Sequence, residues 1–287
     1  MNKRLLLYIT DSEGLGGAEG YLRTLLLHAH QRRHRVGLAL PPRPATLPLV
    51  ELARTHGIEV YPLDIVHREG LSAGAIARSG ALLHQLRPAI VHFNLTSPRR
   101  CAETVIAAGL LGIQQRIATF QLVTPVPHFG WLNRQVRGLN RRLQYQILHH
   151  GIAVSQGNYR LLAEQYGFSA ARLALIPNAV DTNLFRPMSD DGALRATWGV
   201  APNAMLIGLI GRLSRQKGHM GLFDALPAVW QAFPQAHVVL AGAGELEQDL
   251  RTKASQIDRL GRIHFVGQQH DMPRVLAALD IFVLPSL

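Results

Sequence analysis

The chain of 287 residues contains one cysteine, few aromatic residues and fewer acidic than basic side chains. The single Cys101 excludes an internal disulfide and is typical of a reducing compartment. No apolar run reaches the length of a membrane-spanning helix, about 20 residues. The apolar start is followed at once by Asp11, Ser12 and Glu13, where a secretory leader would have small residues. The sequence therefore predicts a cytoplasmic protein that begins with a buried strand.

Acidic side chains are missing altogether between Glu103 and Glu164. Thirty lysines and arginines against nineteen acidic residues give the whole chain a formal net charge of +11. Such a field attracts the phosphates of a nucleotide, a nucleic acid or an anionic lipid. Nucleic acid is the least favoured of the three, because no recognisable binding module is present and few aromatic residues interleave with the basic ones.

Several arginines lie in the segment 131–150, which predicts a helix with an apolar stripe. This segment contains Arg134, Arg137, Arg141 and Arg142. One interpretation is a helix on an anionic membrane surface, where lipid-linked acceptors are found. The other is a helix packed on its own sheet with its arginines in solvent, which its position between two predicted strands favours. A peripheral contact with the inner membrane surface therefore remains the alternative.

Short apolar runs alternate with amphipathic segments along almost the whole chain. The run 3–10 predicts a strand, and residues 18–31 after it carry apolar side chains at helical spacing. Such alternation predicts βαβ units and a mainly parallel sheet covered on both faces. A stretch rich in proline, asparagine, aspartate and glycine interrupts the alternation at 177–192, and strands resume at 205–211.

The predicted organisation is α/β, with two doubly wound, Rossmann-like domains facing a cleft. The first domain is predicted over 1–185, a linker over 186–202, and a second domain over 203–287. The sequence stops directly after the predicted strand 280–287, without the helix that normally follows a parallel strand. The second domain is therefore predicted to be incomplete.

The segment GRLSRQKG at 211–218, called the basic loop below, follows a predicted strand and precedes a predicted helix. Ligands of open parallel sheets bind at such strand exits, where the next helix presents free N–H groups and a positive dipole end. Arg212 can bind phosphate oxygens in a bidentate manner, and Lys217 supplies a point charge. The loop is either a diphosphate site that needs no metal or an ordinary basic surface turn.

Two further strand exits are rich in glycine. SEGLGGAEG at 12–20 lacks GxGxxG spacing, so it is either a substrate-facing loop or a structural turn. AGAGE at 241–245 contains Gly242 and Gly244, and its Glu245 either binds a hydroxyl or favours the start of a helix. No metal site is predicted, because no Asp-x-Asp pair occupies a suitable position and Asp190-Asp191 lies in the linker, where solvation is expected.

The second half of the chain resembles the nucleotide-binding domain of GT-B glycosyltransferases, specifically the large retaining family four. The resemblance rests on IGLIGRLSRQKGHMGLFDAL, VVLAGAGELEQDL and IHFVGQQHDMPRVLAALDIFVLPS, in the family's order. The first half contributes GGAE, IAVSQGNYRLLAEQYGF and LIPNAVDTNLFRP, with Ala179 where the family usually has glycine. Together these motifs cover most of the chain.

The resemblance assigns roles to individual residues. Arg212 and Lys217 resemble the pair that binds the donor diphosphate, next to Gly211. Gly16 and Gly17 resemble the loop that faces the phosphate and sugar. Val266 and Gly267 resemble the backbone edge that binds the base. The implied substrate is a UDP- or GDP-linked sugar, and the family needs neither a metal nor another cofactor.

The chain departs from the family at two places. Family members carry a histidine after the fifth strand, near the transferred sugar, where this chain has Gln121. Gln121 can hydrogen-bond a hydroxyl but does not transfer a proton. His128, a few residues later, is a second candidate for the acceptor or sugar side, the alternative being an incidental histidine of a loop. The family's Glu-x7-Glu segment would come directly after Leu287. A truncated chain is therefore expected to bind its donor poorly and to turn over slowly.

The resemblance implies a retaining, metal-independent glycosyltransferase of cell-surface glycan synthesis, acting on a glycan or lipid-linked hydroxyl. Two alternatives stay open. One is a nucleotide-sugar epimerase or phosphorylase of the same fold, against which the family-four motifs argue. The other is a non-catalytic remnant that binds anions or nucleotides, since the histidine and Glu-x7-Glu are missing.

Overall fold

The computed structural model describes residues 4–12, 16–32, 34–65, 71–98, 100–126 and 145–287. They belong to two compact units, Met1–Val180 and Asp181–Leu287. Each unit has one sheet, and all strand pairs in both sheets are parallel. The predicted α/β fold with two Rossmann-like sheets is confirmed, and the second sheet is the smaller.

The first unit has a seven-stranded sheet of order β3-β2-β1-β4-β5-β6-β7. The strands are β1 Leu5–Thr10, β2 Arg35–Leu40, β3 Glu59–Pro62, β4 Ile90–Leu95, β5 Gln115–Phe120, β6 His150–Ala153 and β7 Leu173–Leu175. The helices among its described residues are α1 Gly17–Gln31, α2 Leu47–Thr55, α3 Ala73–Leu86, α4 Ala102–Leu110 and α5 Gln156–Glu164. The strand order reverses between β1 and β4, and such switch points are where open parallel sheets bind ligands.

Both faces of the first sheet are buried, as its apolar strands predict. Leu7 and Ile9 of β1 belong to one core cluster, which also contains Val105 of α4. Tyr8, between them, belongs to a second cluster with Leu22 and other residues of α1. Because successive side chains of a strand point to opposite faces, apolar residues at every position require helices on both sides.

The second unit has a four-stranded sheet of order β10-β9-β8-β11. The strands are β8 Leu206–Ile210, β9 His237–Ala241, β10 Ile263–Gly267 and β11 Ile281–Phe282. Its helices are α6 Ala193–Thr197, α7 His219–Ala232, α8 Glu247–Ile257 and α9 Met272–Ala277. Phe223 and Leu226 of α7 pack with Leu209 on one face of β8, while Leu206 packs on the other.

Part of the segment predicted as a linker, 186–202, folds with the second unit. It contains α6, and Trp198 and Val200 after this helix are buried in the same core cluster as Leu206. Arg195 of α6 is 7% exposed and binds several groups of the unit. It donates to the Ala278 carbonyl at 2.9 Å and the Ala204 carbonyl at 2.8 Å, and pairs with Asp280 at 2.9 Å. These contacts attach α6 to β11 and to the residues before β8.

His92 of β4 is buried in the first unit as a neutral side chain. Its Nε2 lies 2.8 Å from Oγ1 of Thr119, and its ring centroid lies 5.2 Å from that of Tyr8. Burial lowers the pKa of His92 from 6.5 to about 4. The imidazole therefore remains uncharged in the folded protein at pH values where it is protonated in the unfolded chain.

Acidification is therefore expected to destabilise the first unit through His92. The folded pKa lies below the unfolded one, so its contribution is complete above pH 6.5 and is lost as the pH falls towards 4. Between pH 7 and 4.5 the loss in free energy of unfolding should be about 2 to 3 kcal/mol. Urea unfolding at both pH values checks this. The side chain of the His92→Gln variant does not titrate in this range. The change in its free energy of unfolding between the two pH values should therefore be smaller by that amount. An equal difference in both proteins would contradict the prediction.

Candidate functional site

Backbone hydrogen bonds join the exits of three neighbouring strands in the second unit. The Gly211 N–H after β8 donates to the Ala241 carbonyl at 2.9 Å, and Gly242 donates to the Gly267 carbonyl at 2.8 Å. Leu213 in turn donates to the Ala243 carbonyl at 3.1 Å. The predicted residues Gly211, Gly242 and Gly267 thus lie side by side at the carboxyl edge of the sheet.

Glycine is required at two places in these exits because main chains meet there. Gly242 has a φ of +151°, and a Cβ on it would overlap the Gly211 carbonyl oxygen. A Cβ on Gly244 would overlap the backbone of Leu213. The surface formed there is mostly backbone, which allows a ligand to approach closely.

The basic loop adds positive charge at this edge of the sheet. Arg212 and Arg215 are exposed and Lys217 is partly exposed. Within the described parts of the chain, none of the three has an ion-pair partner. The Lys217 side chain runs along Gly211, with Cδ and Cε each 3.5 Å from where a Cβ would stand. Predicted residues 211 and 217 are therefore neighbours in space.

The basic loop leads directly into α7. A 3₁₀ turn over Arg215–Lys217 precedes Gly218, which caps the helix at a φ of +70° without a side-chain hydrogen bond. The first N–H groups of α7 therefore lack a capping side chain, and the positive end of the helix dipole lies beside two cationic side chains. Such an end binds anions.

His219, the first residue of α7, is a feature that sequence reasoning missed. It is 1% exposed, and neither ring nitrogen has a hydrogen-bond partner in the described structure. Burial lowers the pKa of His219, and the charge of Lys217 lowers it further. The Ser214 backbone acts in the opposite direction and raises the pKa, although it does not reach hydrogen-bond geometry with the ring. A neutral imidazole beneath a loop of three cations adds no further repulsion.

Two further predicted positions belong to β10 and to the segment after β9. Glu245 is exposed just before α8, with no ion-pair partner among the residues described. Val266 is half-buried in β10, and Gly267 after it has a φ of +66°. Gln269 donates to the Val266 carbonyl at 2.7 Å.

In the first unit, Gly16 and Gly17 stand at the start of α1. Gly16 caps the helix in an extended conformation and accepts a 3.0 Å hydrogen bond from Gly20. Ser12 at the end of β1 donates to the Glu19 carboxylate, which ties the strand exit to the helix. A Cβ on Gly17 would meet nothing within 4 Å among the described residues, so there is room beside Gly17.

Gln121, directly after β5, lies in a group of side-chain amides. Its Nε2 donates to Oδ1 of Asn94 at 2.9 Å, and its Oε1 accepts from Nδ2 of Asn178 at 3.1 Å. Asn94 is fully buried and donates to the Ala18 carbonyl at 3.1 Å. Sequence reasoning missed Asn94 and Asn178 as site residues, although Asn94 lies near the end of β4 and Asn178 follows the apolar run that contains β7.

Asp11, at the exit of β1, is a buried carboxylate whose oxygens already have partners. It accepts hydrogen bonds from the Thr96 N–H at 3.0 Å and the Thr96 hydroxyl at 2.6 Å. Arg100 lies 3.6 Å from it. Asp11 therefore fastens the exit of β1 to that of β4.

The remaining candidates from the sequence lie away from these strand exits or outside the described residues. His128 and most of the predicted helix 131–150 are among those outside. Asp190 and Asp191, expected to be solvated only, pair with Arg195 at 3.0 Å and Arg274 at 2.6 Å. No group of three potential metal ligands occurs in the described ranges. Nor does that part of the chain contain a helix long and apolar enough to cross a membrane.

Two protein-family models match the chain. The model described as Glycosyltransferase Family 4 matches residues 15–184. The model described as Glycosyl transferases group 1 matches residues 204–287. The first match alone covers more than half of the chain, and the second contains the basic loop.

Curated relatives and a solved structure are also similar. EpsF of Bacillus subtilis is 27% identical over 183 residues, which is 63% of this chain and 48% of EpsF. An Escherichia coli enzyme named UDP-Gal:alpha-D-GlcNAc-diphosphoundecaprenol alpha-1,3-galactosyltransferase is 32% identical over 120 residues, 40% of this chain and 31% of the enzyme. The Anabaena Alr3699/HepE structure in complex with UDP and glucose is 25% identical, with a TM-score of 0.75, over 99% of this chain and 74% of HepE. The chain thus spans about half or less of these curated relatives' length.

Proposed function

Because the chain belongs to Glycosyltransferase Family 4, we propose that it binds a nucleoside-diphosphate sugar and transfers the sugar to a hydroxyl. The observation that carries this proposal is the basic loop, whose cations have no ion-pair partner among the described residues and which begins at the hydrogen-bonded glycine strand exits. Glycine backbone, a helix N-terminus and uncompensated cations are what a diphosphate needs.

The predicted site residues of the second unit have the following roles in this proposal. Arg212 and Lys217 bind the diphosphate beside the start of α7, and Gly211, Gly242 and Gly244 let it approach the backbone. As the sugar–phosphate bond breaks, negative charge grows on the leaving oxygen, and cations held in place stabilise it. Val266 and Gly267 bind the base through their backbone, and Glu245 accepts a hydroxyl.

In the first unit, Gly16 and Gly17 face phosphate and sugar, and Gln121 binds a sugar hydroxyl. We further propose that the reaction needs no metal, because the cations of the basic loop neutralise the diphosphate. Retention of the anomeric configuration is proposed from the resemblance to the retaining family four. HepE binds UDP and glucose, and the Escherichia coli relative uses a diphosphoundecaprenol-linked acceptor. These names support a UDP-linked donor and a lipid-linked acceptor. We keep a GDP-linked donor and a glycan acceptor as alternatives, and we propose that the chain acts in cell-surface glycan synthesis from the cytoplasmic side of the membrane.

Calorimetric titration of the chain with UDP, GDP and ADP tests the proposal. One nucleotide is expected to bind at least about tenfold more tightly than the others. The three nucleotides share the same diphosphate, so contacts of the base at β10 decide which one is preferred. Weak binding of all three with equal affinity and strong salt dependence would favour the anion-binding alternative. Where turnover with the matching nucleotide sugar is observed, the anomeric proton coupling of the product tests retention.

A further inference from the structure

Three side-chain amides form a hydrogen-bonded series in which every nitrogen donates in the same direction. Asn178 donates to Gln121 at 3.1 Å, Gln121 donates to Asn94 at 2.9 Å, and Asn94 donates to the Ala18 carbonyl at 3.1 Å. We call this the amide series. It starts in the segment after β7, crosses the exits of β5 and β4, and ends in the first turn of α1, next to Gly17.

The direction of the series follows from its last acceptor. A backbone carbonyl only accepts, so the group of Asn94 that faces Ala18 is the NH₂ and its oxygen faces Gln121. That oxygen in turn requires the NH₂ of Gln121, which leaves the Gln121 oxygen towards Asn178. An amide alone would adopt either orientation, whereas this series specifies one.

Gln121 is held at its backbone as well. Its N–H donates to the Leu95 carbonyl at 2.9 Å, and its carbonyl accepts from Asn158 at 3.3 Å. After the contacts with Asn94 and Asn178, the side chain keeps one N–H and one oxygen lone pair. A sugar hydroxyl both donates and accepts, so a Gln121 amide of fixed orientation matches it, and a reversed amide would exchange the two roles.

We propose that Asn178 is a positioning residue: Asn94 specifies the orientation of the Gln121 amide, and Asn178, by donating to the Gln121 oxygen, holds that amide in place towards the donor sugar. This inference rests on the proposed function, because the ligand of Gln121 is the sugar of the bound nucleotide sugar. Asn178 lies between β7 and the boundary of the two units after Val180. The segment that leaves the first unit therefore contributes to sugar recognition without touching the sugar.

Affinities for UDP, UDP-glucose and UDP-galactose, measured on the whole chain, test this proposal. Asn178→Ala is expected to weaken binding of at least one UDP-sugar threefold to tenfold while leaving UDP affinity unchanged. Asn178→Asp places a carboxylate, which only accepts, against the Gln121 oxygen. It should weaken binding of the same UDP-sugar at least as much. Asn178→Gln, which retains a donor NH₂, should recover part of the loss. Asn183→Ala is the matched control, since the described contacts of Asn183 involve only its backbone N–H.

The outcomes separate the two proposals. Failure of both UDP and GDP to bind the unaltered chain would overturn the proposed function and this inference with it. If GDP binds and UDP does not, the same variants are compared with GDP and GDP-mannose. If UDP binds but Asn178→Ala leaves the ratio of each UDP-sugar affinity to the UDP affinity unchanged, only the inference is overturned. An equal loss of UDP and UDP-sugar affinity would also overturn it, because it indicates a merely structural role. Side-chain ¹⁵N NMR gives a readout without ligand: the Gln121 NH₂ signals should shift in Asn178→Ala and stay in Asn183→Ala.

Discussion

Replacing Arg212 and Lys217 together by alanine is expected to weaken binding of the preferred nucleoside diphosphate by about a hundredfold or more. Hydrogen bonds to charged groups contribute about 1.5 to 3 kcal/mol each, so two of them correspond to about 10² to 10⁴ in affinity. Neither side chain has an ion-pair partner in the described structure, so the change leaves no carboxylate unpaired. Stability to urea should therefore stay within about 0.5 kcal/mol.

A charge-matched control separates specific binding from the general field of a basic protein. Lys253→Ala/Arg259→Ala also removes two positive charges from the second unit, at side chains around the end of α8. It breaks the exposed pair of Lys253 with Asp224 at 3.7 Å, and such a surface pair contributes at most about 1 kcal/mol. Long-range attraction between exposed charges is screened beyond about 10 Å at ordinary salt. The control should thus lose less than about threefold by calorimetry at about 0.15 M salt. Equal losses in both double variants would show that only net charge attracts the nucleotide.

Gly242→Ala is expected to destabilise the second unit severely. The added Cβ would overlap the Gly211 carbonyl oxygen, and the φ of +151° is unfavourable for alanine. Neither backbone moves freely, because Gly211 and Gly242 each donate to the next strand exit, at 2.9 and 2.8 Å. Backbone strain and overpacking each cost about 1 to 3 kcal/mol, so the free energy of unfolding should fall by about 2 to 5 kcal/mol.

Tryptophan fluorescence during urea unfolding measures this effect, since Trp198 and Trp230 lie in the cores of the second unit. Gly221→Ala is the control, because Gly221 lies within α7 and a Cβ there would meet nothing within 4 Å. Alanine at such a position should stabilise the helix by about 0.5 to 1 kcal/mol. A Gly242→Ala protein as stable as the unaltered chain would contradict the close approach of the two loops.

The sequence predicted the fold class and the alternation of strands and helices well, because parallel, doubly covered strands are apolar at nearly every position. Leu5 to Thr10 and Leu206 to Ile210 carry this signal locally, and so does the helical spacing of Leu22 and Leu26. The same local reasoning failed to place Trp198 in a core. Helix α6 has only five residues, too few to show a period, and its attachment depends on Asp280, 85 residues after Arg195.

Periodicity and contiguous motifs were enough to establish two parallel α/β units and the family to which the chain belongs, because both signals are local in the sequence. The stacking of Gly211, Gly242 and Gly267 arises only in the folded chain, since strand order brings together exits from three separate segments. The amide series arises there too. The orientation of the Gln121 amide depends on Asn94, 27 residues away, and its oxygen is held by Asn178, 57 residues away. Hydrogen-bond direction is set by partners in space, and no local pattern encodes it.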